Sequence, residues 1–170
     1  MESIVYREGS IADCPAVAAV HVRSWRESFA GIVPPSFLDR ITVERRTEAF
    51  ARRFSDDSYR MYVAEAAGAG LIGFADFGEP RDDLDGYEAE LYAIYLLPEY
   101  QGRGVGGRLF RLVIEALVES GKRSVYLLAL EVSPYRPFYE KMGGRVIESS
   151  RKELEGMVFN VLAYGWRKLS

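Results

Sequence analysis

Residues 88 to 117, EAELYAIYLLPEYQGRGVGGRLFRLVIEAL, constrain the fold of this chain more than any other stretch. They read as a strand, then a loop with four glycines, then an amphipathic helix. The helix carries Leu109, Leu112, Val113, Ala116 and Leu117 at i, i+3, i+4, i+7 and i+8, a single apolar stripe. Burying its larger members is worth roughly 1.5–3 kcal/mol each, so this helix must dock on a sheet. The loop adds a chemical constraint. A glycine loop feeding a helix start gathers unpaired N–H groups at the positive end of the helix dipole, and that is an anion site.

The elements around this unit alternate between the two periods. Ile4 to Arg7 reads as a first strand, and Asp13 opens a helix that tolerates Pro15 in its first turn and ends before Gly31 and Pro34-Pro35. A second helix spans about Val43 to Phe54. Tyr59 to Ala66 and Leu71 to Phe77 flank Gly68-Ala69-Gly70 as a hairpin. Ala89 to Leu97 forms the strand before the glycine loop. Strict alternation there puts Glu90, Tyr92, Ile94 and Leu96 on one face, with Leu91, Ala93 and Tyr95 on the other. Ser124 to Leu130 is a further strand and Arg136 to Met142 a short helix, with two final strands around Glu155-Gly156. The expectation is one α/β domain over residues 1–170.

Composition removes several function classes. The formal net charge is −3, so no global basic field draws nucleic acid or an anionic membrane. Arg45-Arg46 and Arg52-Arg53 fall in a helical pattern and read as solvated faces. Cys14 is the only cysteine and His21 the only histidine, which excludes a disulfide framework, a thiol cluster and a multi-histidine metal site. The residues MESIVYRE carry acids where a secretory leader needs a basic then apolar run, and a cytoplasmic setting is expected.

Three glycine motifs compete for the loop. A Walker loop needs Lys then Ser or Thr after its last glycine, but Arg108-Leu109 follows Gly107. The dinucleotide fingerprint GxGxxG is met in spelling by Gly102, Gly104 and Gly107. In that fold, however, the first glycine closes the strand itself, whereas Pro98 to Gln101 intervene here. The third motif is Gln or Arg, two variable residues, Gly, a variable residue, then Gly or Ala. Gln101-Gly102-Arg103-Gly104-Val105-Gly106 fits every position. With the approach Leu96-Leu97-Pro98-Glu99-Tyr100 and the downstream run Ser133 to Gly144, the chain closely resembles the GNAT N-acetyltransferase superfamily.

That resemblance implies a mixed, mostly antiparallel sheet of about seven strands flanked by about four helices, in the order β-α-α-β-β-β-α-β-α-β-β. It also implies acetyl-CoA as cosubstrate without a metal, and a primary amine acceptor attacking directly in a ternary complex. The amides of Gly102 to Gly107, with Gln101 and Val105, would hold the pyrophosphate, and Arg103 and Arg108 could add charge. The backbone of Ile94, Tyr95 and Leu96 would pair with the pantetheine amides, and the Ile94 N–H would polarise the thioester carbonyl. Members often carry asparagine where Ser133 stands, and the shorter serine would contact the pantetheine arm more weakly.

Two residues fit the proton transfers. Glu90 lies eleven residues before Gln101, where catalytic members often place a glutamate base; burial beside apolar neighbours would tune it, and the other reading is an acid continuing the loop from Glu79. Tyr139 matches the family's general acid, since a phenol of pKa about 10 can serve a thiolate of about 8.5; the other reading is a core tyrosine. Trp25, Phe29 and Tyr92 are candidates for the acceptor pocket, with Arg26 beside them. The acidic run Asp82, Asp83, Asp85, Glu88 and Glu90 would attract a cationic amine. A polyamine, an aminoglycoside, an amino acid or a protein N-terminus all remain open as acceptor. The alternative function is an acyl-CoA-binding sensor without turnover. Pairing of the last strands between copies would give a homodimer.

Overall fold

The computed structural model describes residues 2–170. Seven strands run in the spatial order β1-β2-β3-β4-β5-β7-β6: β1 Ile4–Glu8, β2 Arg60–Ala66, β3 Gly70–Gly78, β4 Glu90–Leu96, β5 Ser124–Leu130, β6 Arg145–Leu154 and β7 Met157–Arg167. All neighbours are antiparallel except β4 and β5. Five helices accompany them: α1 Cys14–Ser28, α2 Pro35–Arg40, α3 Val43–Arg53, α4 Val105–Glu119 and α5 Arg136–Lys141. Among the described residues no helix is long and apolar enough to cross a membrane.

The local chemistry explains most boundaries. Asp13 accepts the Ser10 N–H at 2.8 Å ahead of α1, and Thr42 caps α3 by accepting the Arg45 N–H at 3.2 Å. The short helix α2 corrects the reading of Pro34-Pro35 as a simple break. Pro35 sits in the first turn of α2, where its missing N–H costs nothing and its fixed φ suits the helix.

Each sheet face has its own core. Leu109, Val113 and Leu117 of α4 pack over Ile72, Leu91 and Val125, while Val17 of α1 and Phe50 of α3 pack over Met61, Val63 and Phe74. A third cluster joins Val22 and Phe29 to Leu38, Phe159 and Val161.

The alternation expected along β4 does not hold. Asp76 pairs with Ala93 but Phe77 pairs with Leu91, so Tyr92 is the extra residue of a β-bulge. Leu91, Ile94 and Leu96 therefore join the α4 core, while Tyr92, Ala93 and Tyr95 join the α1–α3 core. The bulge divides the strand's side chains between two working surfaces.

Candidate active site

The parallel pair β4–β5 is joined through one residue pair, Glu90 with Tyr126. Past that pair the edge of β4 has no ladder partner on this side, and a cavity of about 330 Å³ opens there. Ile94 and Leu96 line it from β4, and Tyr135, Phe138 and Tyr139 close it from the α5 side. Gln101, Gly102, Gly104, Gly106 and Gly107 line it from the glycine loop, with Pro134, Lys141 and Met142 completing the wall.

The loop is shaped for an anion. The first α4 hydrogen bond runs from the Arg108 N–H to the Gly104 carbonyl at 3.1 Å, and no side chain caps the helix. The N–H groups of Val105, Gly106 and Gly107 precede that bond and point out of the helix end. Gly102 and Gly104 have φ of 74° and 83°, left-handed values that strain any residue with a Cβ. A Cβ on Gly106 would sit 3.1 Å from the Phe138 ring, so glycine lets α4 approach α5 closely. The Val105 side chain is buried and roots the loop in the core. Neither arginine lines the cavity: Arg103 lies over the Tyr100 ring at 5.2 Å, and Arg108 stands 3.8 Å from Glu115.

A second cavity of about 480 Å³ lies on the α1–α3 side of the sheet. Trp25, Phe29 and Tyr92 all line it. Trp25 stacks on Phe29 with ring centroids 4.1 Å apart, and its indole N–H donates to the Tyr95 phenol at 2.9 Å. Ser133 lines this cavity too, and its hydroxyl accepts the Tyr135 N–H at 3.1 Å. Arg26 turns elsewhere and donates to the Ile41 carbonyl at 3.0 Å.

The charges around this cavity differ from those expected. Arg46, Arg53, Arg81 and Lys152 line it, with Asp82 as the one acid of the run from Asp82 to Glu90. Asp85 instead pairs with Arg167 at 2.9 Å, and Glu88 accepts the Arg123 N–H at 3.1 Å. Reading Arg46 and Arg53 as solvated is corrected as well, because both flank the Phe50 ring, at 5.0 and 5.3 Å. Arg53 also pairs at 2.8 Å with Asp76, which is fully buried and also accepts from the Tyr59 phenol.

Glu90 is 0 % exposed, but its surroundings are not apolar. The Arg81 guanidinium grips both carboxylate oxygens, the Arg81 N–H donates at 2.9 Å, and the Tyr126 phenol donates at 2.9 Å. Arg81 in turn lies 4.7 Å over the Tyr92 ring, at the cavity wall. Burial and the Glu90 charge push the Tyr92 phenol up to about 12. Burial, helped by Arg46 and Arg53, brings His21 down to about 3, so its imidazole is neutral. Among the described residues no three His, Cys, Asp or Glu side chains cluster as metal ligands do.

Tyr139 is the residue that lines both cavities. It is 6 % exposed, and burial holds its phenol pKa well above the usual value, so the hydroxyl keeps its proton. The arginines of the second cavity are what reading by motif overlooks. Arg46 and Arg53 lie at i−4 and i+3 from Phe50, on the buried face of α3, and that spacing was the available signal.

Several known proteins are similar to this chain in sequence or in fold. A model of the acetyltransferase (GNAT) family matches residues 22–144. The uncharacterized N-acetyltransferase YuaI of Bacillus subtilis is 31% identical over 168 residues, covering 98% of this chain and 95% of its own. The PaiA N-acetyltransferase of Thermoplasma acidophilum, solved with coenzyme A, superposes with a TM-score of 0.72 at 23% identity, over 97% of this chain and 99% of its own. The yncA protein of Salmonella typhimurium, solved with acetyl-CoA, gives 0.71 at 21% identity, over 96% and 93%.

Proposed function

The chain belongs to the GNAT acetyltransferase family, and from that premise we propose how this N-acetyltransferase divides its work between the two cavities. Acetyl-CoA lies in the groove under the glycine loop, and the amine acceptor enters from the α1–α3 side. The whole chain acts as one domain. One observation carries the proposal: the two cavities share Tyr139, so a thioester in one and an amine in the other converge at its phenol.

The amides of Val105, Gly106 and Gly107 hold the pyrophosphate, aided by the close backbone approach that Gly102 and Gly104 permit. Pantetheine extends along the unpaired edge of β4, at Ile94 to Leu96, and the Ile94 N–H receives the developing oxyanion. The amine nitrogen bonds to the thioester carbon, and the tetrahedral intermediate collapses with loss of the CoA thiolate. That thiolate takes the phenol proton of Tyr139, and the proton that the attacking nitrogen gives up as it becomes the amide returns the phenolate to the phenol. Burial raises the proton affinity of both groups in this dry pocket, so the transfer stays near balance.

We assign the first proton differently from the resemblance. Glu90 does not line the acceptor cavity, and its oxygens are engaged by Arg81 and Tyr126. It holds Arg81 over Tyr92. The cationic lining disfavours an ammonium and lowers the acceptor's own pKa, so water suffices as base.

Tyr139→Phe tests the proposal. We expect kcat to fall about 100-fold while the acetyl-CoA Kd changes by less than about twofold. An unchanged kcat would remove Tyr139 from the mechanism, whereas acetyl-CoA binding by the wild type with no turnover of any amine would favour an acyl-CoA sensor.

A further inference from the structure

The acceptor cavity has three guanidiniums in its lining, and two of them have their own buried carboxylate. Arg53 pairs with Asp76 and Arg81 with Glu90. Arg46 has no ion-pair partner among the described residues, and its Nε is buried without a hydrogen-bond acceptor. Across the same wall the buried Nδ1 of His21 is also without a partner. Both residues line the cavity.

A half-buried guanidinium without an ion-pair partner is costly, and burial together with Arg53 pushes the Arg46 pKa down although Asp76 acts against them. Its planar fork matches a carboxylate in two-point geometry. The neutral imidazole of His21 adds an uncharged hydrogen-bonding group beside it. The Trp25–Phe29 stack, Phe37 and Ile41 give the cavity an apolar wall, with the Trp25 ring 6.3 Å from the His21 ring. We infer that the acceptor is a small amine that also carries a carboxylate, bound at Arg46, and an apolar side chain, bound at Trp25 and Phe37: the chemistry of an apolar α-amino acid.

The inference rests on the acetyl-transfer reading above and narrows its acceptor. It reverses the expectation of a cationic acceptor, because a polyamine or aminoglycoside would bring further positive charge to a lining that already has an excess of it. A cavity of about 480 Å³ suits a small molecule of this kind.

The test compares leucine and phenylalanine with their decarboxylated amines, 3-methylbutylamine and phenethylamine, with spermidine and a tripeptide as further arms. Free thiol release from acetyl-CoA is the readout, and acetyl-CoA binding is measured separately by calorimetry. For the wild type we expect the amino acids to exceed the matched amines by about 10- to 100-fold in kcat/KM, the scale of one charge-assisted hydrogen bond. Arg46→Gln should erase that margin mainly through the KM of the amino acids, with the acetyl-CoA Kd unchanged, and Arg46→Lys should recover part of it. If Arg46→Gln does not fold, the wild-type margin and the Arg46→Lys loss decide. Equal or better use of the amines, of spermidine or of the tripeptide overturns the inference alone. Bound acetyl-CoA with no turnover of any acceptor overturns the transfer reading and the inference with it.

Discussion

The donor groove is walled on one side by a single stretch, Ile94 to Gly107, whose lining residues include four glycines, and on the other by Pro134 to Met142, which holds the short helix α5. The acceptor cavity is walled by side chains drawn from α1, α3, β4, β5 and the β6–β7 hairpin. Backbone N–H groups can grip a phosphate whatever side chains surround them, provided glycine keeps the approach open. Side chains from many elements can be exchanged one at a time without disturbing the sheet. On the function proposed here, the first region fixes the donor, and the second is where a chain of this fold can be respecified for a new acceptor.

The sharpest way to break this contrast is Gly104→Val. A β-branched residue at φ 83° is strained by about 1–2 kcal/mol and projects a side chain at the loop, so the acetyl-CoA Kd should rise roughly 30-fold or more. Calorimetry measures it. Retained affinity would show that the loop backbone does not hold the donor.

Glu90→Gln has a smaller effect and sharpens the other side. Losing the charge opposite Arg81 should lower unfolding stability by about 1–3 kcal/mol in urea titration, toward the lower end because the Arg81 side chain is half-exposed. The change in kcat should stay below about tenfold, with the acidic limb of the pH–rate profile kept. Disappearance of that limb would restore Glu90 as the base.

The same division explains what could be read from the sequence. The loop Gln101 to Gly107 and the α4 stripe are local patterns, and both recur in the fold with a small adjustment: Phe110 is buried while Leu112 is only half-buried. The bulge at Tyr92 was not readable, because a two-residue period has no mark where one extra residue enters the strand. Its consequence is concrete, since Tyr92 and Ile94 work on opposite faces of the sheet. Arg46 and Arg53 were obscured for a related reason. Helical spacing places them beside Phe50, but only the tertiary fold shows that this face of α3 opens on a cavity. Ser133 is five residues from Phe138 in sequence, yet it lines the acceptor cavity and Phe138 the donor groove.

A crystal structure with acetyl-CoA bound tests the account most directly. It should show the pyrophosphate on the amides of Val105 to Gly107 and the thioester sulfur within hydrogen-bonding reach of the Tyr139 hydroxyl. A pyrophosphate seated away from that loop, or a thioester turned away from Tyr139, would contradict it.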